Sequence, residues 1–289
     1  MSAAEVEREP NPRALARFLI DSETVVGIAV NGRLHEVEGD WTDLLGAWAN
    51  GKPNLDITGR SWDLSAGRLL IPIGPQGRGI FCVGMNYDAH RKEVDTSLGM
   101  HERSKAVIFS KLVASLVAAG QDLELSGATS TEFDWEVELG VVIGRSGRWI
   151  TQDRAFDYVS GYTLVNDVTA RDAQRAHGQW FLGKNNHGST PVGPWIINRD
   201  DFGSPPVVQL RLSVNGEVKQ DASTGDMIHS IPELIESISS FVELQVGDII
   251  ATGSPAGVGF TRDPPEFLAV GDVLRTEIVD YMAMENAVS

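Results

Sequence analysis

Apolar and polar positions alternate along residues 133–144, the stretch FDWEVELGVVIG. Successive side chains of a β-strand point to opposite faces. The pattern therefore predicts a strand with Glu136 and Glu138 on the same face. The other face is apolar and consists of Trp135, Val137, Leu139, Val141 and Ile143. The residues that follow the two glutamates are apolar, which favours an enclosed strand. The alternative is a strand whose carboxylates face solvent.

The two carboxylates make this strand a candidate for chemistry. Side chains two residues apart on a strand are separated by about 7 Å. Enclosed carboxylates at this distance repel each other unless a cation lies between them or one of them holds a proton. A divalent metal ion is the usual solution in proteins.

The first part of the chain predicts a hairpin and a helix. Residues 24–30 and 33–37 read as strands, and Asn31-Gly32 between them is typical of a two-residue hairpin turn. Residues 41–50 follow as a helix. These elements predict a small N-terminal unit.

Pro and Gly accumulate in residues 71–77, which indicates a domain boundary. We therefore predict a small N-terminal domain over residues 1–75 and a larger domain over residues 76–289. Strands predominate in the larger domain, where residues 210–214 alternate cleanly before the hairpin signal Asn215-Gly216.

One strong helix signal lies among these strands. Ser230 and Glu233 form a capping box at the start of an apolar stripe made of Leu234, Ile235, Ile238 and Val242. Many strands, Gly-rich turns and few helices predict a mainly β, α+β fold, with a mixed β-sheet or barrel and peripheral helices.

Composition restricts the possible partners. The 289 residues are 42% hydrophobic and carry a net charge of −16, which argues against nucleic acid or an anionic membrane surface. No stretch approaches the roughly 18 apolar residues of a membrane span, and the first residues lack a secretory signal, so we expect a soluble cytoplasmic protein. The single cysteine, Cys82, lies in an apolar run and is expected to be buried filler.

A third acidic candidate is Asp167, where a strand gives way to a helix. Arg171 and Gln174 follow at i+4 and i+7, which would place an acid, a cation and an amide along one helical face. The alternative is an N-cap aspartate with a solvated ion pair. Together with Glu136 and Glu138, Asp167 makes an all-oxygen set that suits Mg²⁺, Mn²⁺ or Ca²⁺.

Two further candidates are a histidine–carboxylate pair and a lysine. His90 and Glu93 are neighbours if their segment is helical, and a carboxylate beside an imidazole orients it and raises its basicity. The alternative is a surface histidine with a chance glutamate. Lys184 lies in a polar loop that could simply be solvated, and Lys111 could add to a local positive pocket for an anionic substrate.

Taken in order, these segments resemble the fumarylacetoacetate hydrolase family over roughly residues 78–286. Five motifs support the resemblance: GMNY leading to His90 and Glu93, the run 134–139, ND followed by ARDxQ, GK followed by GPW, and GSPAGVG at 253–259. The resemblance implies a mixed β-barrel-like roll, commonly dimeric.

The resemblance also implies roles for individual residues. Mg²⁺ or Mn²⁺ would be held by Glu136, Glu138 and Asp167. His90 and Glu93 match the catalytic dyad, and Lys184 matches a catalytic lysine. The substrate-binding positions are Tyr87, Arg171, Gln174, Thr252 and Gly253. Residues 88–104 are separately a candidate closing lid, because the segment is charged and contains a glycine after the dyad. Within the resemblance, Ser254 replaces the threonine that is usual in the family.

The function expected from the resemblance is hydrolysis of a carbon–carbon bond in a 2,4-dioxo acid of the acylpyruvate or fumarylacetoacetate type, through a metal-stabilised pyruvate enolate. Decarboxylation of an oxaloacetate-like acid and isomerisation of a 2-hydroxy-dienoate in aromatic catabolism are alternatives, because both use the same enolate. A non-catalytic relative that binds oxo acids is a third possibility. The expected partners are a small anionic oxo acid and a second copy of the chain.

Overall fold

The computed structural model describes residues 14–52, 55–75, 77–98, 105–125, 127 and 129–289. Strands make up most of the regular structure, as the sequence predicts. In chain order they are β1 Ala14–Ile20, β2 Glu23–Val30, β3 Arg33–Val37, β4 Ile57–Asp63, β5 Arg68–Leu69, β6 Ile80–Gly84, β7 Val107–Lys111, β8 Leu116–Ala118, β9 Phe133–Asp134, β10 Val137–Ile143, β11 Val159–Asn166, β12 Thr169–Ala170, β13 Thr190–Asn198, β14 Gln209–Val214, β15 Glu217–Ser223, β16 Ile249–Ala251, β17 Val273–Ile278 and β18 Met282–Ala287.

The strands form one large mixed sheet and two smaller antiparallel sheets. The large sheet runs β4-β3-β2-β1-β13-β11-β10-β16-β6-β7, with β5 paired to β1 and β8 paired to β13. Its β16–β6 and β13–β8 pairs are parallel, and its other pairs are antiparallel. The smaller sheets are β12-β9 and β15-β14-β17-β18. This confirms the predicted mainly β fold with a mixed sheet.

The α-helices are short and peripheral to the strands. They are α1 Trp41–Ala49, α2 Asp88–Leu98, α3 Arg171–Ala176, α4 Phe181–Lys184 and α5 Ile231–Phe241. The capping box of Ser230 and Glu233 forms at the start of α5 as predicted. Val242 was expected to continue the apolar stripe of α5, but it is the C-cap residue and is 38% exposed, because the backbone has already left the helix there.

Two of the three Asn-Gly dipeptides form the hairpin turns that the sequence predicts, and the third, Asn50-Gly51, lies at the C-terminal end of α1. Asn31 and Gly32 both have positive φ between β2 and β3, and so do Asn215 and Gly216 between β14 and β15. A two-residue turn of this kind requires positive φ at both central residues, which explains the preference for Asn followed by Gly.

The large sheet has a hydrophobic core on each face. One core joins the inner face of β10 to the four-stranded sheet and α5, and it contains Trp135, Val137, Leu139, Val141 and Ile143. The other core contains Val142 and the apolar side of α1. The five predicted apolar positions of the 133–144 stretch therefore do share one face.

The N-terminal elements extend the large sheet. Strand β1 pairs with β13 through Ala14↔Ile197 and Leu15↔Ile196. This pairing joins both regions in one sheet. The division into domains 1–75 and 76–289 stays a prediction. Helix α2 covers the first part of the candidate lid, and residues 99–104 lie outside the described residues. Among the described residues, no helix has the length and hydrophobicity of a membrane span.

Candidate active site

Three carboxylates meet where β10 and β11 lie side by side. Glu136 lies between β9 and β10, Glu138 is in β10, and Asp167 follows the last residue of β11. The register Val137↔Asn166 brings the end of β11 to the start of β10, and the Asp167 N–H donates to the Glu136 carbonyl at 2.8 Å. Each of the three offers a carboxylate oxygen within 4.8 Å of the others. The predicted triad is therefore assembled by strand pairing.

Two buried cations contact the triad from the cavity side. Lys184 Nζ donates to Glu136 Oε2 at 2.8 Å and to Asp167 Oδ2 at 2.7 Å. Arg171 Nη2 donates to Glu136 Oε1 at 2.5 Å, while its Nε donates to Asp134 Oδ1 at 2.6 Å. Burial alone would raise the pKa of Glu136, but Lys184 and Arg171 lower it well below its usual range.

The arrangement of Asp167, Arg171 and Gln174 differs from the predicted one. The short strand β12 separates Asp167 from α3, which begins only at Arg171, so the three residues do not share a helical face. Arg171 Nη1 does contact Gln174 Oε1 at 3.0 Å. Because β12 pairs with β9, the Arg171 side chain is directed to Asp134 and Glu136 instead of Asp167.

A third buried cation, Lys111, contacts Asp167 from β7. Its Nζ donates to Asp167 Oδ1 at 2.6 Å and to the Val168 carbonyl at 2.8 Å. Burial lowers the pKa of Lys111, although Asp167 acts against this shift. Sequence reasoning counted Lys111 only as part of a positive pocket. Its one local signal is a lysine at the end of an apolar run, which does not identify a partner far along the chain.

Glu138 is the triad member with an unused oxygen. Its Oε2 accepts the Gly253 N–H at 2.8 Å, whereas its buried Oε1 has no hydrogen-bond partner within the described residues. Burial, with Asp167 and Glu136 beside it, raises the pKa of Glu138 well above its usual value. Glu138 is therefore the triad member that a proton favours when no metal ion is bound.

The donor set fits a divalent cation. The buried charged residues of the centre, among those that the structure describes, include four carboxylates and three cations, which are Asp134, Glu136, Glu138, Asp167, Lys111, Arg171 and Lys184. A bound divalent ion would compensate the surplus negative charge and would give the unpartnered Glu138 oxygen a partner. Carboxylate oxygens are the ligands that Mg²⁺ and Mn²⁺ prefer.

The predicted dyad forms on α2. His90 Nδ1 lies 3.2 Å from Glu93 Oε2, and the His90 side chain is buried. The Gly257 N–H lies 3.2 Å from each Glu93 oxygen, and the Thr261 hydroxyl also contacts this carboxylate. Burial alone would raise the pKa of Glu93, but the hydrogen bonds from His90 and Thr261 lower it.

A small cavity of about 30 Å³ lies beside the triad and the dyad. The cavity wall has a polar side and an aromatic side, formed by His90, Glu136, Arg171, Gln174 and Lys184, and by Phe109, Trp180 and Phe260. Five residues predicted from the sequence thus converge on one space.

The other predicted substrate-binding residues lie behind this wall. Thr252 donates through both its N–H and its hydroxyl to the Leu139 carbonyl, and Gly253 holds Glu138. Tyr87 is buried with no hydrogen-bond partner for its hydroxyl within the described residues, and burial raises its pKa. Asn86, which sequence reasoning did not single out, ties this region together by donating to the Thr252 carbonyl at 2.8 Å.

Comparisons with known proteins agree with this arrangement. The family model for the C-terminal domain of fumarylacetoacetate (FAA) hydrolase matches residues 79–289. The oxaloacetate tautomerase YisK of Bacillus subtilis is 38% identical over 244 residues, which are 84% of this chain and 80% of that protein.

Solved structures show the same fold. Fumarylacetoacetate hydrolase from Exiguobacterium antarcticum matches with a TM-score of 0.80 and 34% identity, over 96% of this chain and 99% of that chain. A 2-hydroxyhepta-2,4-diene-1,7-dioate isomerase from Mycobacterium marinum matches with a TM-score of 0.79 and 31% identity, over 96% and 98%. On its motifs, its fold and these relatives, the chain belongs to the fumarylacetoacetate hydrolase family.

Proposed function

We propose that this protein is a divalent-metal-dependent enzyme that interconverts the keto and enol forms of a small 2-oxo acid of the oxaloacetate type. The observation that carries the proposal is the convergence of His90, Arg171 and Lys184 on one small cavity beside the carboxylate triad. The relative that is named an oxaloacetate tautomerase supports this reaction over others of the family.

The cations of the cavity suit an acid whose charge increases during the reaction. Removal of a proton from the carbon beside a carbonyl leaves an enolate oxygen, which fixed positive groups stabilise in a buried site. Lys184 and Arg171 supply two such groups, and their contacts to Glu136 hold them in place. A Mg²⁺ or Mn²⁺ ion held by Glu136, Glu138 and Asp167 would add Lewis-acid polarisation of the carbonyl oxygen.

His90 is the residue that we assign to proton transfer. A neutral imidazole accepts the proton from the carbon, and the resulting imidazolium returns a proton to the substrate. Glu93 holds the Nδ1 side of the ring at 3.2 Å, so Nε2 is the nitrogen left for the substrate. The ionised Glu93 also stabilises the positive charge that His90 gains.

Hydrolysis of a 2,4-dioxo acid is the second candidate. Its support is the same dyad beside the cavity, where His90 could activate a water molecule. It requires a water molecule and an acyl group in the site at once, whereas tautomerisation requires only the 2-oxo acid. Decarboxylation or dienoate isomerisation would use the same cations.

Product identity separates these reactions. Chelator-treated protein, with and without added Mg²⁺, is given freshly dissolved enol oxaloacetate, and ketonisation is followed by enol absorbance and NMR. We expect Mg²⁺-dependent ketonisation without loss of carbon. Pyruvate and carbon dioxide would indicate a decarboxylase, and acetate plus pyruvate from acetylpyruvate would indicate the hydrolase. Binding of oxo acids without turnover would indicate a non-catalytic relative.

A variant pair tests the role of His90. His90→Ala is expected to lose at least about 100-fold in kcat, the usual contribution of a general base. His35→Ala is the matched control, because His35 lies in β3 of the N-terminal hairpin, away from the cavity. Full activity of His90→Ala would remove His90 from the reaction.

A further inference from the structure

Trp180 forms part of the cavity wall next to an exposed segment. It lines the cavity directly before α4, and residues 175–179, which lead into it, are exposed. The Lys184 N–H donates to the Trp180 carbonyl at 3.0 Å, so the indole and the catalytic lysine belong to one helical turn. The position of this ring is therefore linked to the polar side of the cavity.

The indole rests on two neighbours that leave little space. Its ring meets Phe109 edge to face, with centroids 5.4 Å apart and an interplanar angle of 76°. Gly84 also lies next to the ring, and an added Cβ there would come within 2.5 Å of Trp180 Cζ3. Gly84 is thus needed for the close approach of the indole to β6.

The other two aromatic walls are held more firmly. Phe109 belongs to β7 and pairs with Cys82 of β6. The Phe260 N–H donates to Asp134 Oδ2 at 3.0 Å, and the Arg171 guanidinium covers the Phe260 ring at 4.3 Å. Among the described residues, the Trp180 ring makes packing contacts only. Trp180 is therefore the aromatic residue of the wall that can move most readily to admit a substrate.

We propose that Trp180 is the specificity-determining residue of this site and limits the substrate to short 2-oxo acids. The indole lines the cavity and lies against both Phe109 and Gly84, so it limits the space beside the polar groups. A group attached beyond the oxo-acid end would meet this ring. This inference rests on the proposed function, because it assumes that a 2-oxo acid occupies the cavity.

The test compares two ligands of different length on Mn²⁺-loaded protein by calorimetry. Oxalate mimics the oxo-acid end alone, and N-butyl oxamate adds an alkyl chain. Trp180→Ala and the milder Trp180→Leu should bind N-butyl oxamate at least about 10-fold more tightly than the wild type does. A change of this size is expected when an apolar pocket admits one more methylene group. Oxalate binding should change less than about 3-fold, since its contacts are with the polar wall.

Two controls complete the design. Trp149→Ala removes an indole that is 69% exposed and does not line the cavity, so it should leave both affinities unchanged. Gly84→Ala should disturb ligand binding in the wild type but much less in Trp180→Ala, because the added methyl then has no indole to meet.

The outcomes separate the two proposals. Equal discrimination between the ligands in the wild type and in both Trp180 variants would overturn the role of Trp180 and leave the proposed function intact. If the folded, Mn²⁺-loaded wild type binds no oxalate and turns over no 2-oxo acid, the proposed function fails, and the role of Trp180 fails with it.

Discussion

Trp135 and Glu136 are neighbours in the chain, and each lies beside a different group of ion pairs. On one side, the Trp135 ring is covered by Lys219 and Arg262 at 6.0 and 5.9 Å. Lys219 pairs there with Glu217 and Glu266, which are 70% and 39% exposed. On the other side, Glu136 begins the buried centre, where Lys111 and Asp167 are fully buried. Lysine–carboxylate pairs thus occur both where the carboxylates are exposed to water and where both partners are buried.

The difference between the two groups lies in desolvation. Exposed pairs cost little to form and contribute little, typically less than about 1 kcal/mol. Buried charges lose their hydration, and their mutual attraction often does no more than compensate for it. Replacing buried pairs with well-packed apolar residues often leaves a protein equally stable, so a buried charged centre is weak evidence of a stabilising role. We infer that it is retained for the metal ion and the chemistry.

The largest expected effect comes from breaking a pair in the buried centre. Lys111→Met leaves Asp167 Oδ1 without its partner and should cost about 3–5 kcal/mol in the free energy of unfolding. Lys219→Met removes a lysine whose side chain is 7% exposed and whose partners reach solvent, and should cost less than about 1 kcal/mol. Denaturant unfolding of the metal-free proteins measures both. Equal losses would contradict the comparison.

Added Mn²⁺ sharpens this result. The centre of Lys111→Met carries one more uncompensated negative charge than that of the wild type, so a divalent cation should stabilise the variant more. We expect a larger rise in the unfolding midpoint on adding Mn²⁺ to Lys111→Met than to the wild type or to Lys219→Met. An identical rise in all three would show that Lys111 and the ion do not share the charge of Asp167.

An intermediate effect is expected at the edge of the centre, where Glu93 is partly exposed. The folded-state pKa of Glu93 lies below its usual 4.5, so its contribution is complete above that pH and is lost as the pH falls through the lower folded value. Glu93→Gln should therefore cost about 1 kcal/mol at neutral pH, and the difference from the wild type should shrink below pH 4.5. A difference that grows on acidification would contradict the lowered pKa.

The smallest effect is expected in the exposed group. Glu217→Gln removes one charge from the Lys219 pairs, and its side chain is 70% exposed. The free energy of unfolding should change by less than about 0.5 kcal/mol. Added salt should reduce even this difference, because exposed pairs are screened. A loss comparable to that of Lys111→Met would remove the distinction between the two groups.

Local patterns predicted the parts of the site that local geometry decides. The period of a strand sufficed to put Glu136 and Glu138 on one face, and two Asn-Gly pairs located the β2–β3 and β14–β15 hairpins. The i,i+3 spacing sufficed for His90 and Glu93. In each case the partners are close along the chain, so one regular element determines their relative position.

The rest depends on contacts that are distant in sequence. Lys111 bonds to Asp167 across 56 positions, and nothing near Lys111 indicates that its side chain turns inward. Asp167 was placed near a helix start, but the pairing of β12 with β9 delays α3 until Arg171. Trp180 escaped notice because its role depends on Gly84 of β6. The homodimer, the cytoplasmic location and the choice between Mg²⁺ and Mn²⁺ stay predictions.

The central claim is that the carboxylate triad binds a divalent ion. Its most direct test is titration of chelator-treated protein with Mn²⁺, followed by electron paramagnetic resonance, for the wild type and for Glu138→Gln. The account predicts one tight site per chain in the wild type and at least about 100-fold weaker binding in the variant, since a ligand matters no less than the groups that support it. Equal Mn²⁺ affinity in both proteins, or no binding by the wild type, would contradict it.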